Sequence, residues 1–165
     1  RSPIALAQEQ MMVDIPESEA RHLLDQNLSC IDSPAWIPIK VQPGTLEIEV
    51  GVIDTLGRSA GLSVQLIYRH SPRTKRISYR FSVFKRQPYG LERVYQLAIQ
   101  QWPSQIKDEH TRSHEHFGDR RTIGPKDWDR WTFEQVIGFF CKRTNITFNP
   151  SIPHPENFEL SGGKK

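Results

Sequence analysis

The sequence predicts an α+β domain: a four-stranded antiparallel β-meander with a short N-terminal helix and a C-terminal amphipathic helix packed on one face. Apolar residues alternate with polar ones in four consecutive segments, which is the period of half-buried strands. The connections between these segments are too short for a crossover helix, so neighbouring strands should pair antiparallel. A later stretch repeats its apolar residues at helical spacing and predicts the helix that covers the sheet.

The first element is a short helix in the segment "DIPESEARHLLDQ". Asp14 is expected to cap it, Pro16 suits its first turn, and Glu17 stands three residues after Asp14, as in a capping box. Three prolines between residues 33 and 45 then predict an extended connection that ends in a Pro-Gly turn. The strands should begin directly after this turn.

Each of the four predicted strands places its apolar side chains on one face. The connections "DTLGRSAG", "HSPRTK" and "RQPYG" carry turn residues. We therefore expect a core on one side of the sheet and solvent on the other. The predicted core face comprises Leu46, Ile48, Val50 and Val52, then Leu62, Val64, Leu66 and Tyr68, then Ile77, Tyr79, Phe81 and Val83, and finally Tyr95, Leu97 and Ile99.

The segment "DRWTFEQVIGFFCKRTN" predicts the covering helix. Thr132 can cap it, with Gln135 three residues later as in a capping box. Two basic residues in the last turn suit the negative end of the helix dipole. One face of this helix is apolar and comprises Phe133, Val136, Ile137, Phe140 and Cys141.

The chain of 165 residues is long enough for one ordinary globular domain. We expect a flexible N-terminal segment over residues 1–13, a single α+β domain over residues 14–160 and a flexible tail over residues 161–165. Whether residues 1–10 are native stays open, because the chain does not begin with Met.

The two cysteines, Cys30 and Cys141, cannot form a disulfide framework, and neither has the spacing of a metal-binding motif. No apolar run approaches the roughly 18 residues that span a bilayer, and the N-terminus lacks the pattern of a signal peptide. These features predict a cytoplasmic protein without membrane association.

Positive charge is concentrated between Arg69 and Arg93, where eight Lys and Arg residues stand against the single acid Glu92. On the outer face of the sheet and in its turns, these cations could track a phosphate backbone, while Phe84 or Tyr89 stacks on unpaired bases. The alternative is a solvated face whose charges protect strand edges from aggregation. The predicted nucleic-acid contacts are Arg69, Arg73, Lys75, Arg76, Arg80, Lys85 and Arg86.

Three of the six histidines fall within seven positions of the segment "DEHTRSHEHFGDRR". His114 and His116 are separated by one residue, so in an extended strand both side chains point to the same side and Glu115 to the other. His110 stands four residues before His114, a spacing that aligns two side chains only on a helix. Simple periodicity therefore positions at most two of the three histidines.

A pair of imidazoles suggests cleavage of a phosphodiester, in which one ring removes the proton of a ribose 2′-hydroxyl and the other protonates the leaving oxygen. Their usual pKa of about 6.5 makes both states accessible at neutral pH. Arg112 or Arg121 would bind the phosphate. The sequence thus predicts a metal-independent endoribonuclease without a cofactor, with His114 and His116 as the acid–base pair and His110 as a further candidate.

Two other interpretations of the histidines stay open. Their HxxxHxH spacing supplies three nitrogens, enough for a catalytic Zn²⁺ with one open position. Alternatively, the histidines are structural, in a polar loop of a non-enzymatic module that binds nucleic acid or protein. No Gly-rich phosphate loop is present, which weighs against polymerase-like chemistry.

The order of these features resembles that of the TumE-like proteins, small components assigned to bacterial toxin–antitoxin modules. The resemblance covers residues 75–143 and consists of the "YRFSVF" strand, the HxHxG element "HEHFG", an arginine pair and the amphipathic helix. It implies a cytoplasmic toxin that an antitoxin protein neutralises, with His114 and His116 as the functional pair. The expected partners are therefore RNA and a cognate antitoxin.

Overall fold

The protein is described by a computed structural model that covers residues 12–101 and 112–162. Its main element is one mixed, open sheet of ten strands, accompanied by three short helices. The predicted four-stranded meander with two helices is therefore wrong as a description of the fold. The strands are β1 (Met12–Asp14), β2 (Leu28–Cys30), β3 (Ile37–Pro38), β4 (Thr45–Ile53), β5 (Ser59–His70), β6 (Ile77–Gln87), β7 (Gly90–Gln101), β8 (His114–Phe117), β9 (Arg120–Ile123) and β10 (Ile146–Phe148).

The strands are hydrogen-bonded in the order β10-β2-β4-β5-β6-β7-β8-β9, while β1 pairs with β7 and β3 pairs with β4 beside this path. The four long strands β4 to β7 are antiparallel neighbours, as their short connections predict. Strands of two to four residues extend the sheet at both edges, and two of them, β1 and β10, pair in parallel. β1 also begins within residues 1–13, the segment that we expected to be flexible.

The helices are α1 (Glu17–Leu23), α2 (Phe133–Thr144) and α3 (Pro155–Gly162), and a 3₁₀ helix (Lys126–Arg130) precedes α2. Within the described ranges, none of the helices has the length and apolar character that crossing a membrane requires.

The predicted cap of α1 is wrong. Asp14 belongs to β1, and its carboxylate accepts hydrogen bonds of 2.7 and 2.9 Å from the guanidinium of Arg93. The helix begins after Pro16, and the backbone N–H of Glu17 donates to the carboxylate of Asp119 at 3.0 Å. Contacts with residues distant in the sequence therefore replace the local capping box.

Helix α2 covers the apolar face of the long strands. The capping box between Thr132 and Gln135 is present, as predicted. The ring of Phe140 contacts Phe81 and Tyr95, with centroids 5.8 and 5.9 Å apart. These contacts close the core, whose buried strand residues include Leu46, Ile48, Val52, Leu62, Val64, Leu66, Tyr68, Tyr79, Phe81, Val83, Tyr95, Leu97 and Ile99.

The opposite face of the sheet carries the polar side chains, and we call it the histidine face. Residues paired across antiparallel strands share a face, so the register arranges them in rows. Phe84 also lies on this face but is fully buried, so it cannot stack on a base as predicted. One row is Glu49, Gln65, Ser82, Gln96, His116 and Arg121, and the next is Glu47, Ile67, Arg80, Ala98, His114 and Ile123.

Candidate functional site

Strand β8 sets both histidines on the histidine face. The strand pairs with β7 and β9, and its side chains alternate between half-buried and buried. The rings of His114 and His116 meet edge to face, with centroids 5.1 Å apart. Glu115 and Phe117 point to the α2 side and are buried. The prediction that the two histidines share one side of a strand is confirmed.

On its core side, β8 is held in place by Glu115. Its carboxylate accepts a hydrogen bond of 2.8 Å from the hydroxyl of Tyr95 and pairs with Arg143 at 3.3 Å. Burial raises the pKa of Tyr95 well above its usual value, and the neighbouring carboxylate adds to the increase. Tyr95 therefore stays a hydrogen-bond donor over the physiological pH range, and β8 remains tied to β7 and α2.

The start of β8 is fixed by Ser113, which is buried. Its hydroxyl donates to the carboxylate of Asp129 at 2.6 Å and accepts from the backbone N–H of Gln100 at 3.0 Å. Its carbonyl accepts from the N–H of Gly124 at 2.9 Å. Sequence reasoning missed this network, because Ser113 and Asp129 lie in different elements and share no motif. The network holds the backbone directly before the first histidine.

That backbone determines the tautomer of His114. Nδ1 of His114 lies 2.8 Å from the carbonyl oxygen of Arg112. A carbonyl oxygen only accepts, so Nδ1 carries the proton and the neutral ring keeps its lone pair on Nε2. Burial lowers the pKa of His114, and the charges of Arg121 and Arg93 lower it further, although the bond to the carbonyl acts in the opposite direction. Nε2 is therefore available as a proton acceptor.

The pKa of His116 is lowered to about 4. Burial is the largest cause, followed by the charges of Arg93 and His114, while Asp14 opposes the shift. Both imidazoles are therefore mainly neutral at pH 7 in the free protein. Because an acid–base pair needs one protonated ring, its active protonation state is most populated at acidic pH.

Arginines surround the pair. Arg93, bound to Asp14, also donates to the side chain of Gln96 at 3.0 Å. Arg121 stands directly opposite His116 in the register of β8 and β9 and is exposed. The side chain of Arg112 lies 3.5 Å from the carbonyl of Gly124, and its binding of phosphate stays a prediction. Arg112 contributes to this site through its backbone.

The seven predicted nucleic-acid contacts do not form one patch. Arg69 and Arg80 lie on the histidine face, and Arg73, Lys75 and Arg76 lie in the turn between β5 and β6. Lys85 lies on the other face, 3.5 Å from Glu19 of α1. It is separated from the turn by most of β6, roughly 30 Å at the rise of a strand. Arg86 shares that far end of β6.

His110 lies outside the described residues. Among the residues that the structure does describe, no group of three His, Cys, Asp or Glu side chains could hold a metal ion. The zinc site allowed by the HxxxHxH spacing requires His110, so it stays a prediction.

Comparison with known proteins adds no family assignment: no protein-family model, no curated protein and no solved structure matches the chain.

Proposed function

We propose that the chain is a histidine-dependent endoribonuclease, in which His114 and His116 transfer protons and RNA phosphodiesters are the substrate. One observation carries the proposal: two imidazoles, 5.1 Å apart, project from the same side of a strand that is held at its start and from its core side. Arginines on the same face favour an anionic substrate.

The lone pair on Nε2 of His114 suits this residue for the role of general base. It would take the proton of a ribose 2′-hydroxyl, whose oxygen then attacks the adjacent phosphorus. The bond from phosphorus to the 5′-oxygen breaks, leaving a 2′,3′-cyclic phosphate. Protonated His116 would give its proton to the 5′-oxygen. Neighbouring guanidinium groups would stabilise the negative charge on the phosphoryl oxygens.

The lowered pKa values set a condition on this mechanism. In the free protein, the pKa of His116 is about 4, so the ring is protonated mainly below that pH and its acid form is scarce at pH 7. A phosphate close to the rings raises their pKa, because negative charge favours imidazolium. We therefore propose that substrate binding supplies part of the shift that His116 needs in order to act as the acid.

The resemblance to the TumE-like proteins extends the proposal to the role of the enzyme in the cell. A toxin with this activity would cleave RNA of its own host in the cytoplasm, and an antitoxin protein would neutralise it. This part rests on the order of motifs between residues 75 and 143.

The test is induced expression in a bacterial host, comparing the intact protein with the His114→Ala, His116→Ala double variant. The exposed His22 of α1 provides a matched control, since His22→Ala removes an imidazole from a helix on the core side of β8, where Arg21 lies over the ring of Phe117. Growth arrest and cleaved RNA are expected with the intact protein and with His22→Ala, and neither with the soluble double variant. Equal growth and intact RNA in all three cultures would refute the proposal.

A second function, binding of RNA without cleavage, is favoured by Arg69 and Arg80 on the histidine face, because guanidinium groups bind phosphate whether or not the imidazoles are protonated. A binding protein should retain its RNA affinity in the double variant and leave the RNA intact at every pH. A nuclease should lose cleavage in that variant.

A further inference from the structure

A polar cleft opens on the α2 side of β8, between helix α1 and the last turn of α2. Its volume is about 540 Å³, within the range of roughly 300 to 1,000 Å³ that is typical of small-molecule sites. Phe117 lines the cleft and points to this side of the sheet, whereas His114 and His116 point to the other side. The cleft is therefore separate from the histidine pair and does not rest on the proposed function.

The first cation of the cleft is Arg21 of α1. Its guanidinium lies 4.0 Å from the centre of the Phe117 ring, and its Nε donates to the carboxylate of Glu17 at 2.8 Å. The ring and the carboxylate together hold the guanidinium in one orientation. Because the bond to Glu17 uses Nε, the NH₂ groups of Arg21 remain as donors for another acceptor.

The second cation, Arg143 of α2, has the same kind of support. Its guanidinium lies 4.6 Å from the centre of the Phe139 ring, and its Nε pairs with Glu115 at 3.3 Å. Glu115 and Phe117 stand two residues apart on one side of β8, a separation of roughly 7 Å. Arg21 and Arg143 therefore enter the cleft beside neighbouring positions of one strand. Since both guanidiniums are held before a ligand arrives, binding costs less conformational entropy.

The third cation is Lys142, which is exposed in the last turn of α2. Over the described ranges, no carboxylate lies within ion-pair distance of its ammonium group. Asp25 is the one acid among the described residues that line the cleft. The carboxylates of Glu17 and Glu115, which pair with the two arginines, do not line it. Three cations thus face one carboxylate inside the cleft.

We infer that this cleft binds the phosphate monoester group of a small molecule. A monoester carries nearly two negative charges at neutral pH and has three terminal oxygens, so it can accept hydrogen bonds from Arg21, Lys142 and Arg143 together. A phosphodiester or a carboxylate has one charge and two free oxygens, and would leave one of the cations without a partner. The rest of the cleft volume accommodates the organic part of the ligand.

The experiment is calorimetric titration of the purified chain with inorganic phosphate at constant ionic strength. Dimethyl phosphate and acetate serve as the diester and carboxylate probes. Lys142→Gln removes the cation that has no carboxylate partner, and Asp25→Asn removes the opposing charge. The control is Lys126→Gln, which removes an exposed lysine beyond the other end of α2. All three side chains are exposed, so these variants are expected to fold.

We expect Lys142→Gln to weaken phosphate binding about fivefold or more, through the loss of one charge-assisted hydrogen bond. Asp25→Asn should strengthen it about twofold, because a repelling charge is removed. Lys126→Gln should bind as the parent chain does, and the two monoanionic probes should bind more weakly than phosphate. Equal binding by Lys142→Gln and the parent chain would overturn the site. Equal binding of dimethyl phosphate and inorganic phosphate would overturn its assignment to monoesters.

The histidine face is a second place where inorganic phosphate could bind, and the His114→Ala, His116→Ala double variant separates the two. Phosphate binding that persists in this variant and still depends on Lys142 would support the cleft. Loss of all phosphate binding in the folded double variant would assign the anion to the histidine face and overturn the cleft.

Discussion

The hydroxyl of Tyr95 donates a 2.8 Å hydrogen bond to the carboxylate of Glu115, on the side of β8 that faces helix α2. The residues on either side of Glu115 are the two histidines, which point the other way. A strand that alternates its side chains thus connects core packing with the geometry of the candidate site. Any change that loosens Glu115 should also disturb the histidine pair.

The first prediction concerns this contact. Tyr95→Phe leaves the buried carboxylate of Glu115 with Arg143 as its remaining side-chain partner, so the free energy of unfolding should fall by about 1 to 3 kcal/mol. Tyr79→Phe is the matched control, because the Tyr79 hydroxyl makes no hydrogen bond within the described residues. Urea unfolding of both variants measures the difference, and equal losses would show that the Tyr95–Glu115 bond contributes nothing specific.

The second prediction concerns the pH dependence of cleavage. The profile of kcat/KM reports the pKa values of the free enzyme, and those of His114 and His116 are both lowered from their usual value. One group must be neutral and the other protonated, so the profile should be bell-shaped with its maximum below about pH 6.5. Cleavage of a short RNA across the pH range tests this, and a maximum at neutral or alkaline pH would contradict the assigned roles.

The third prediction concerns stability. Because the folded-state pKa of His116 is about 4, the unfolded chain binds more protons than the folded one between that value and about pH 6.5. Stability from this group is present above the unfolded pKa and is lost as the pH falls. Between about pH 7 and pH 4.5, the loss should reach about 2 kcal/mol. His116→Gln, which cannot titrate, should lose correspondingly less stability over the same interval in urea unfolding.

The fourth prediction concerns the last residue of the HxHxG element. Gly118 has a φ of +53°, and a Cβ at this position would collide with the carbonyl oxygen of Ile15. Gly118→Ala should therefore destabilise the protein by about 2 kcal/mol or more. Gly51→Ala is the control, since nothing lies within 4 Å of a Cβ there. A thermal melt of Gly118→Ala that matches this control would contradict the packing of the turn against the start of α1.

The parts of the fold that could be predicted are those with local signals. β4 to β7 are long enough to show alternation, and α2 carries both its capping box and its apolar stripe in sequence. β1, β2, β3 and β10 have two or three residues each, too few for a period to be recognised. β1 pairs with β7, β2 and β3 pair with β4, and β10 pairs with β2. Each of these contacts joins distant segments and leaves no pattern in the sequence.

The candidate site also has features with a local sequence signal and features that depend on distant contacts. The shared side of His114 and His116 follows from strand alternation alone. Their lowered pKa values do not, because they depend on burial and on Arg93 and Arg121, which only the register of the sheet brings close. Asp14 shows the same limit of sequence-based prediction. Its carboxylate could have capped the following helix, but in the structure it binds the distant Arg93.

The most direct test of the account is cleavage of a short RNA by the purified chain in the presence of EDTA, with identification of the product ends. We expect 2′,3′-cyclic phosphate ends with the parent chain and none with folded His114→Ala. The same RNA carrying 2′-O-methyl groups should not be cleaved, because it has no 2′-hydroxyl to attack the phosphorus. Intact RNA at every pH with the parent chain, or equal cleavage by His114→Ala, would contradict the claim that these histidines perform phosphodiester chemistry.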